Sequence, residues 1–408
     1  MFLDFLNSYL EPRVGRVAIE DVLSDVMTLC DSIFQGTVLG PALWNTFFHD
    51  VVGPASFAGE EVALFADDLT SFKAFPIDKP NNEIEEEMRA TRSEVHRWGK
   101  RNRVTFDSGK EHINILHPLH GQGESFKLLG CPIDVKLTMS EAVDLIVARA
   151  RPKIKALLRS RAFYSLVDLI VQFKTHIWGI IEYSHGCVLH ASDTALAKID
   201  RLQSSFVREL HVTEEFVFLV HNFAPLELRR DIGISGFLHK RVLGECHPAI
   251  MNLLPFSSQN YAWRHPKQLE TYLESCVVRP VLYWRSPFGL IHVYNRLPDY
   301  VIASPSVKVF QARLTEGAKK RCSSGDPLWR RAFRDCAQLW DSLPHLRRPV
   351  FEEMLSVDGR RQFNKCSIGE SDTRALSRSC AVALSGSPIP LLFWWVSFSL
   401  LCVLFGVP

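Results

Sequence analysis

Apolar and polar positions divide the chain into a strand-and-turn beginning and a helical middle. Residues 1–10 are apolar, interrupted by Asp4 and Asn7, and predict a short helix ending near Glu11-Pro12. Residues 14–26 alternate loosely, with a strand expected at 15–19. A helical pattern occupies 42–52. Two short apolar runs at 62–66 and 69–72 flank Asp67-Asp68 and predict an antiparallel hairpin with the acids at its turn. Residues 83–100 read as an amphipathic helix with Ile84, Met88, Val95 and Trp98 on one side and Glu85, Glu86 and Glu87 on a solvated side. From 162 to 244 the spacing is mostly helical, clearest at 168–181 and 195–210.

Beyond this the pattern weakens. Residues 246–285 are rich in turn formers and predict a linker with short helices. Residues 326–355 suggest a Trp- and Arg-rich helix pair, and 356–387 a flexible polar stretch. Residues 391–407 then carry no charge at all. That length is at the short end for spanning a bilayer. Trp394 and Trp395 suit an interface, and Arg374 and Arg378 suit the cytoplasmic side. A membrane anchor and an unselected apolar tail both fit. The expected domains are 1–135, 136–245, 246–355, 356–387 and 388–408.

Composition narrows the function. At 408 residues the chain is long enough for two or three domains. A net charge of +2 means that any nucleic-acid-binding surface must be local. Ten scattered cysteines without a Cys-x-x-Cys pair argue against a zinc site and a dense disulfide framework. An intracellular protein, nuclear or cytoplasmic, is the natural expectation, with a membrane-anchored one as the alternative. The isolated His176, His185, His190 and His221 form no catalytic or ligand pattern.

Two stretches offer chemistry. Adjacent carboxylates at a hairpin tip present hard oxygen ligands to Mg2+ or Mn2+, although a solvated polar turn has the same sequence. The densest basic run is Arg149, Arg151, Lys153, Lys155, Arg159 and Arg161. Arg151, Lys155 and Arg159 are four apart and share a helix face, so they could follow a phosphate backbone or simply be solvated. Pro152 is expected near the start of that helix.

Around these stretches stand four blocks in order. Phe34-Gln35-Gly36-Thr37-Val38-Leu39-Gly40-Pro41 comes first, with Gly36 and Gly40 suited to tight backbone turns and Pro41 to a helix start. Phe65-Ala66-Asp67-Asp68 is second, Trp98, Asn102 and Lys110 third, and Leu128-Leu129-Gly130 fourth. This order resembles the palm of non-LTR retrotransposon reverse transcriptases over roughly the first 152 residues. The resemblance implies an α+β fold with a partial right-hand palm, a helical thumb and a helical C-terminal extension. It implies that Asp67 and Asp68 hold Mg2+ or Mn2+ and that Gln35 and Gly36 line the substrate side. It also implies that Lys110 approaches the phosphates and that Leu128-Leu129-Gly130 grips the primer. RNA template, DNA primer and their hybrid would be the partners. Residues 199–203, 224–230 and the Asn295-Arg296-Leu297-Pro298 stretch also resemble later parts of such proteins. A further catalytic Asp in the family would lie before Met1, so an N-terminally truncated, inactive polymerase is expected. The alternatives are a non-catalytic nucleic-acid-binding protein using the basic helix, and a tail-anchored membrane protein.

Overall fold

The structure, a computed structural model, describes residues 2–29, 33, 36–76, 78–117, 119–183, 185–258, 265–271 and 286–334. They fall into two compact units, one of residues 1–73 with 82–113 and the other of 74–81 with 114 onward. The division falls before the domain boundary expected at 135.

In the first unit, helix α1 (Phe2–Leu10) buries none of its residues. Strand β1 (Arg13–Gly15) pairs antiparallel with β4 (Met27–Leu29), and β2 (Ala18–Ile19) with β3 (Val22–Leu23). The single strand expected at 15–19 is therefore split. Val17 exchanges hydrogen bonds with Ser24, through its amide to Ser24 Oγ and its carbonyl from the Ser24 amide, and this turns the chain between the two pairs. Helix α2 (Gly40–Phe48) has Pro41 in its first turn, where a missing N–H costs nothing. Gly40 is an ordinary buried helical residue rather than a special turn; Gly36, at φ +86°, is the turn glycine.

A one-turn 3-10 segment (His49–Val51) joins α2 to α3 (Val52–Ala55). Phe48, Val51 and Ala55 form a small core with Val95 and Trp98 of α4 (Asn81–Arg101). Ile84 and Thr91 are also buried along α4, and Met88 is half-buried, so the expected face is correct. Among the three glutamates, only Glu86 is left to solvent; Glu85 pairs with Arg89 and Glu87 with Lys73. Strands β5 (Glu61–Phe65) and β6 (Asp68–Phe72) pair antiparallel from Glu61↔Phe72 to Phe65↔Asp68. Val62, Leu64 and Leu69 lay the hairpin on this core.

The second unit opens with the hairpin β7 (Phe126–Leu128) and β8 (Cys131–Ile133). Its two-residue turn holds Leu129 at φ +47° and Gly130 at φ +83°, the doubly left-handed conformation that matches strand twist. Helix α5 (Ser140–Arg159) follows. The Asp134 carboxylate accepts from the Thr138 amide at 3.0 Å and the Met139 amide at 2.6 Å, and so organises the entry. Pro152 is not near the start of this helix, as expected, but in its interior. It lies on the exposed side, so the carbonyl of Ala148 that it leaves without an intrahelical partner faces water.

Helices α6 (Leu166–Phe173), α7 (Gly179–Glu182), α8 (His185–Val188), α9 (Asp193–Glu209), α10 (Glu214–His221) and α11 (Leu226–Val242) continue the helical region that the spacing predicts. A π-helical turn (Lys174–Trp178) joins α6 to α7. Phe173, Phe206 and Phe223 meet with ring centroids 4.6 to 6.3 Å apart. Gln203 ties them in, accepting from Trp178 Nε1 at 3.0 Å and donating to the Ala224 carbonyl at 2.8 Å.

Within the segment expected to be a linker with short helices, the described residues 246–258 and 265–271 contribute to the core. Cys246, Ile250, Leu253, Leu254 and Leu269 are buried beside Leu228, Leu238 and Phe310. Here α12 (Pro248–Leu253) is followed by α13 (Pro287–Tyr294), α14 (Asp299–Ile302) and α15 (Val307–Ser323). The Asn295-Arg296-Leu297-Pro298 stretch has a structural explanation. The buried Asn295 amide accepts from the Leu269 N–H at 2.9 Å and donates to the Leu269 carbonyl at 2.7 Å, replacing a strand partner. Leu297 enters the core and Pro298 caps α14. Trp329–Arg331 forms a single 3-10 turn. Residues 335–355, 356–387 and 388–408 lie outside the described residues, and with them the apolar stretch 391–407. Among the described residues no helix is long and apolar enough to cross a membrane.

Candidate metal-binding hairpin and nucleic-acid face

The tip of the β5–β6 hairpin is built by tension between turn geometry and sequence. Register leaves Ala66 and Asp67 as the two turn residues, a turn of the expected length set one residue earlier, and places Asp68 at the first position of β6. Ala66 takes φ +53°, a left-handed conformation that costs an L-residue about 1 kcal/mol. Trp44 Nε1 donates to the Ala66 carbonyl at 2.8 Å and holds the turn from α2. Trp44 in turn stacks on Phe48, with centroids 5.1 Å apart, and Phe48 meets Trp98 edge-on at 6.0 Å. The aromatic core thus reaches the backbone immediately before the two acids.

Asp67 and Asp68 are both exposed, and neither carboxylate has a hydrogen-bond or ion-pair partner among the described residues. Several nearby acids of this unit are engaged instead. Buried Glu60 accepts from Thr91 Oγ1 and from the Ala58 amide, and Glu111 meets His96 at 2.8 Å. Two adjacent carboxylates with free oxygens, on a turn held from behind, fit a hard divalent cation that keeps water and phosphate as its other ligands. Among the described residues no group of three or more His, Cys, Asp or Glu gathers, so the donor set at the tip stays at two, and His176, His190 and His221 add none.

The other expected substrate residues are less concentrated. Gly36 sits in an exposed turn where its φ requires glycine. Gln35 lies outside the described residues. Lys110 ends a one-turn 3-10 segment (Ser108–Lys110) capped by Asp107 and pairs with that residue at 3.6 Å, its side chain largely in solvent. The structure does not bring Lys110 into contact with the Asp pair.

In the second unit, Arg149, Arg151, Lys153, Lys155 and Arg159 are all exposed on α5, and none pairs with an acid among the described residues. Arg161, in the turn that follows, meets Glu209 at 3.5 Å. Acids occupy the start of the same helix, where Asp144 pairs with Lys198 at 2.7 Å, and cations its end, as the helix dipole favours. Buried Ile146, Val147, Ala150 and Ile154 hold the opposite face on the core, so the cations stay outward.

Arg149 also borders a cavity of about 190 Å³ lined by Gly130, Leu145, Ile146, Ile180 and Tyr183. Tyr183 donates to the Leu129 carbonyl at 2.5 Å and so latches the β7–β8 turn. Sequence reading missed Trp44 and Tyr183. Trp44 carried a signal, its helical spacing to Phe48; Tyr183 lies far along the chain from Leu129 and carried none.

Among curated proteins, the chain is similar to a probable RNA-directed DNA polymerase from the X-element transposon of Drosophila melanogaster, with 26% identity over 238 residues. It is also similar to the RNA-directed DNA polymerase of the mobile element jockey of the same species, with 25% identity over 223 residues. These matches cover 53% and 50% of the chain, but only 25% and 24% of the relatives, so the chain spans about a quarter of their length. No family model matches the chain, and no solved structure matches it significantly. The four sequence blocks and these relatives agree on a region like the reverse transcriptases of non-LTR retrotransposons.

Proposed function

We propose that the chain is a reverse-transcriptase-like protein whose first unit corresponds to part of a polymerase palm and presents a divalent-metal site at Asp67 and Asp68. The observation that carries this reading is the hairpin tip itself. Two unpartnered carboxylates stand on a strained turn that Trp44 holds in place. The parent reaction is attack of a primer hydroxyl on a nucleoside triphosphate, with pyrophosphate leaving. A bound Mg2+ or Mn2+ supplies charge neutralisation to the triphosphate. Asp67 and Asp68 hold the cation, Gly36 lets the backbone approach the substrate, and Lys110, freed from Asp107, meets the leaving phosphates. RNA template and DNA primer are the partners that this reading implies.

The test is metal-dependent binding of a labelled deoxynucleoside triphosphate. Retention with Mn2+ that is lost with chelator and in Asp67→Asn supports the reading. Retention that ignores both metal and Asp67 would sink it. Primer extension on an RNA template is not expected, because two metals carry four positive charges and the tip offers two carboxylates. A second reading, nucleic-acid binding without catalysis, is favoured by the unpaired cations of α5. They need no metal to attract phosphate.

A further inference from the structure

We infer that the corner between α5 and α6 is a binding site for single-stranded nucleic acid, in which Phe163 and Tyr164 stack on bases while Arg151, Lys155 and Arg159 follow the backbone. The inference rests on the second reading above, that α5 tracks phosphates, and adds what kind of strand it takes.

Immediately after the last of these cations the chain exposes aromatic surface. Phe163 is 86% exposed and Tyr164 47%. Val167 and Val171 continue the apolar patch one and two turns along the outer side of α6, each 51% exposed. Scattered exposed apolar residues need no explanation, but four within nine positions, directly following a row of cations along the chain, do.

The corner is also preformed. The Phe163 amide bonds to the Ser160 carbonyl at 2.9 Å, and Ser160 and Arg161 amides close the last turn of α5. Ser165 and Asp168 cap α6 reciprocally, with the Ser165 hydroxyl 2.6 Å from the Asp168 carboxylate. The rings are therefore presented on a capped turn, not a loose loop.

Charge selects the occupant. Asp168, the nearest acid in sequence after the rings, is engaged by its cap, and Glu209, which the fold brings to Arg161, is engaged by that residue. Arg151, Lys155 and Arg159 have no acid partner among the described residues. Four residues of helix advance about 6 Å, close to the phosphate spacing of an extended strand. Cations beside exposed rings suit a ligand with an anionic backbone and unpaired bases, because every base has a face to stack. A duplex hides those faces and satisfies only the cations.

The experiment uses the full chain and fluorescence anisotropy with a labelled oligothymidylate and a labelled duplex of equal length. The wild-type protein is expected to prefer the single strand. Phe163→Ala with Tyr164→Ala should weaken single-strand binding about tenfold or more, leave duplex binding unchanged and leave the salt slope unchanged. Phe163→Trp should retain the affinity, and thermal melts should show both proteins folded. Neutralising Arg151, Lys155 and Arg159 with Gln should shallow the single-strand salt slope by about two. If the triple variant weakens binding and the double variant does not, the stacking site is wrong while the phosphate-tracking face stands. If the wild type binds neither ligand, that face is wrong and the inference falls with it. A wild-type dimer that the double variant dissociates would reassign the corner to contact between copies of the chain.

Discussion

The two compact units place their apolar side chains differently. In the second, long helices enclose a continuous core in which Leu228, Leu238, Tyr294 and Phe310 are fully buried. In the first, the core is a cluster around Phe48, Val95 and Trp98, while α1 and the four short strands after it leave Leu3, Val14, Ile19, Val22 and Leu23 in solvent. These short exposed strands therefore contribute little buried apolar surface to the unit. The chain thus separates stability from its best candidate chemistry. The helical unit holds most of the buried surface, and the Asp67–Asp68 hairpin rests on the smaller core through Trp44.

The largest expected effect tests that separation. Phe310→Ala, in the helical core, should cost about 3–5 kcal/mol in urea unfolding. Val22→Ala, at a site 73% exposed, should change stability by less than about 0.5 kcal/mol. Similar losses from both would abolish the contrast between the units.

The helical core also encloses an ionisable group. Asp231 on α11 is buried and one of its oxygens lacks a partner, while the neighbouring Arg230 is committed to Asp200 through two bonds of 2.6 and 2.7 Å. Burial pushes its carboxyl from 3.8 up to about 7, against the pull of Arg334 and Arg230. The unfolded chain loses this proton near 3.8 and the folded chain keeps it to about 7. The stability contributed is therefore complete below 3.8 and is lost as pH rises to about 7. Asp231→Asn should remove this slope and raise stability at neutral pH by a few kcal/mol, on the order set by linkage. A melting profile with the same pH dependence in the variant would show that the carboxyl is not held neutral.

Smaller effects belong to the hairpin. Trp44→Phe keeps the ring packing but leaves the Ala66 carbonyl without its donor, at a cost of about 1 kcal/mol. Ala66→Gly relieves the left-handed conformation and, after the entropy cost of glycine, should gain about 0.5 kcal/mol. A loss on Ala66→Gly would mean that the turn is not strained.

Legibility followed the range of the determining contacts. The β5–β6 hairpin, α4 and the outward cations of α5 were readable because apolar periodicity and turn chemistry are local. The position of Pro152 was misread because its exposure, which makes an interior proline tolerable, depends on how α5 packs. Residues 246–285 read as a linker because the core contacts of the described part, 246–258 and 265–271, come from distant helices, and Asn295 pairing with the Leu269 backbone has no local pattern. At the candidate site, the Asp pair was visible, whereas the support from Trp44 and the separation of Lys110 from the tip are tertiary facts.

The most direct test of the central claim is Mn2+ binding followed by electron paramagnetic resonance. The wild-type chain should show one saturable site. Asp67→Asn with Asp68→Asn should remove it without changing the melting temperature, because both side chains are exposed and unpartnered. A site that persists in the double variant, or a wild-type chain with no saturable site, would contradict the account.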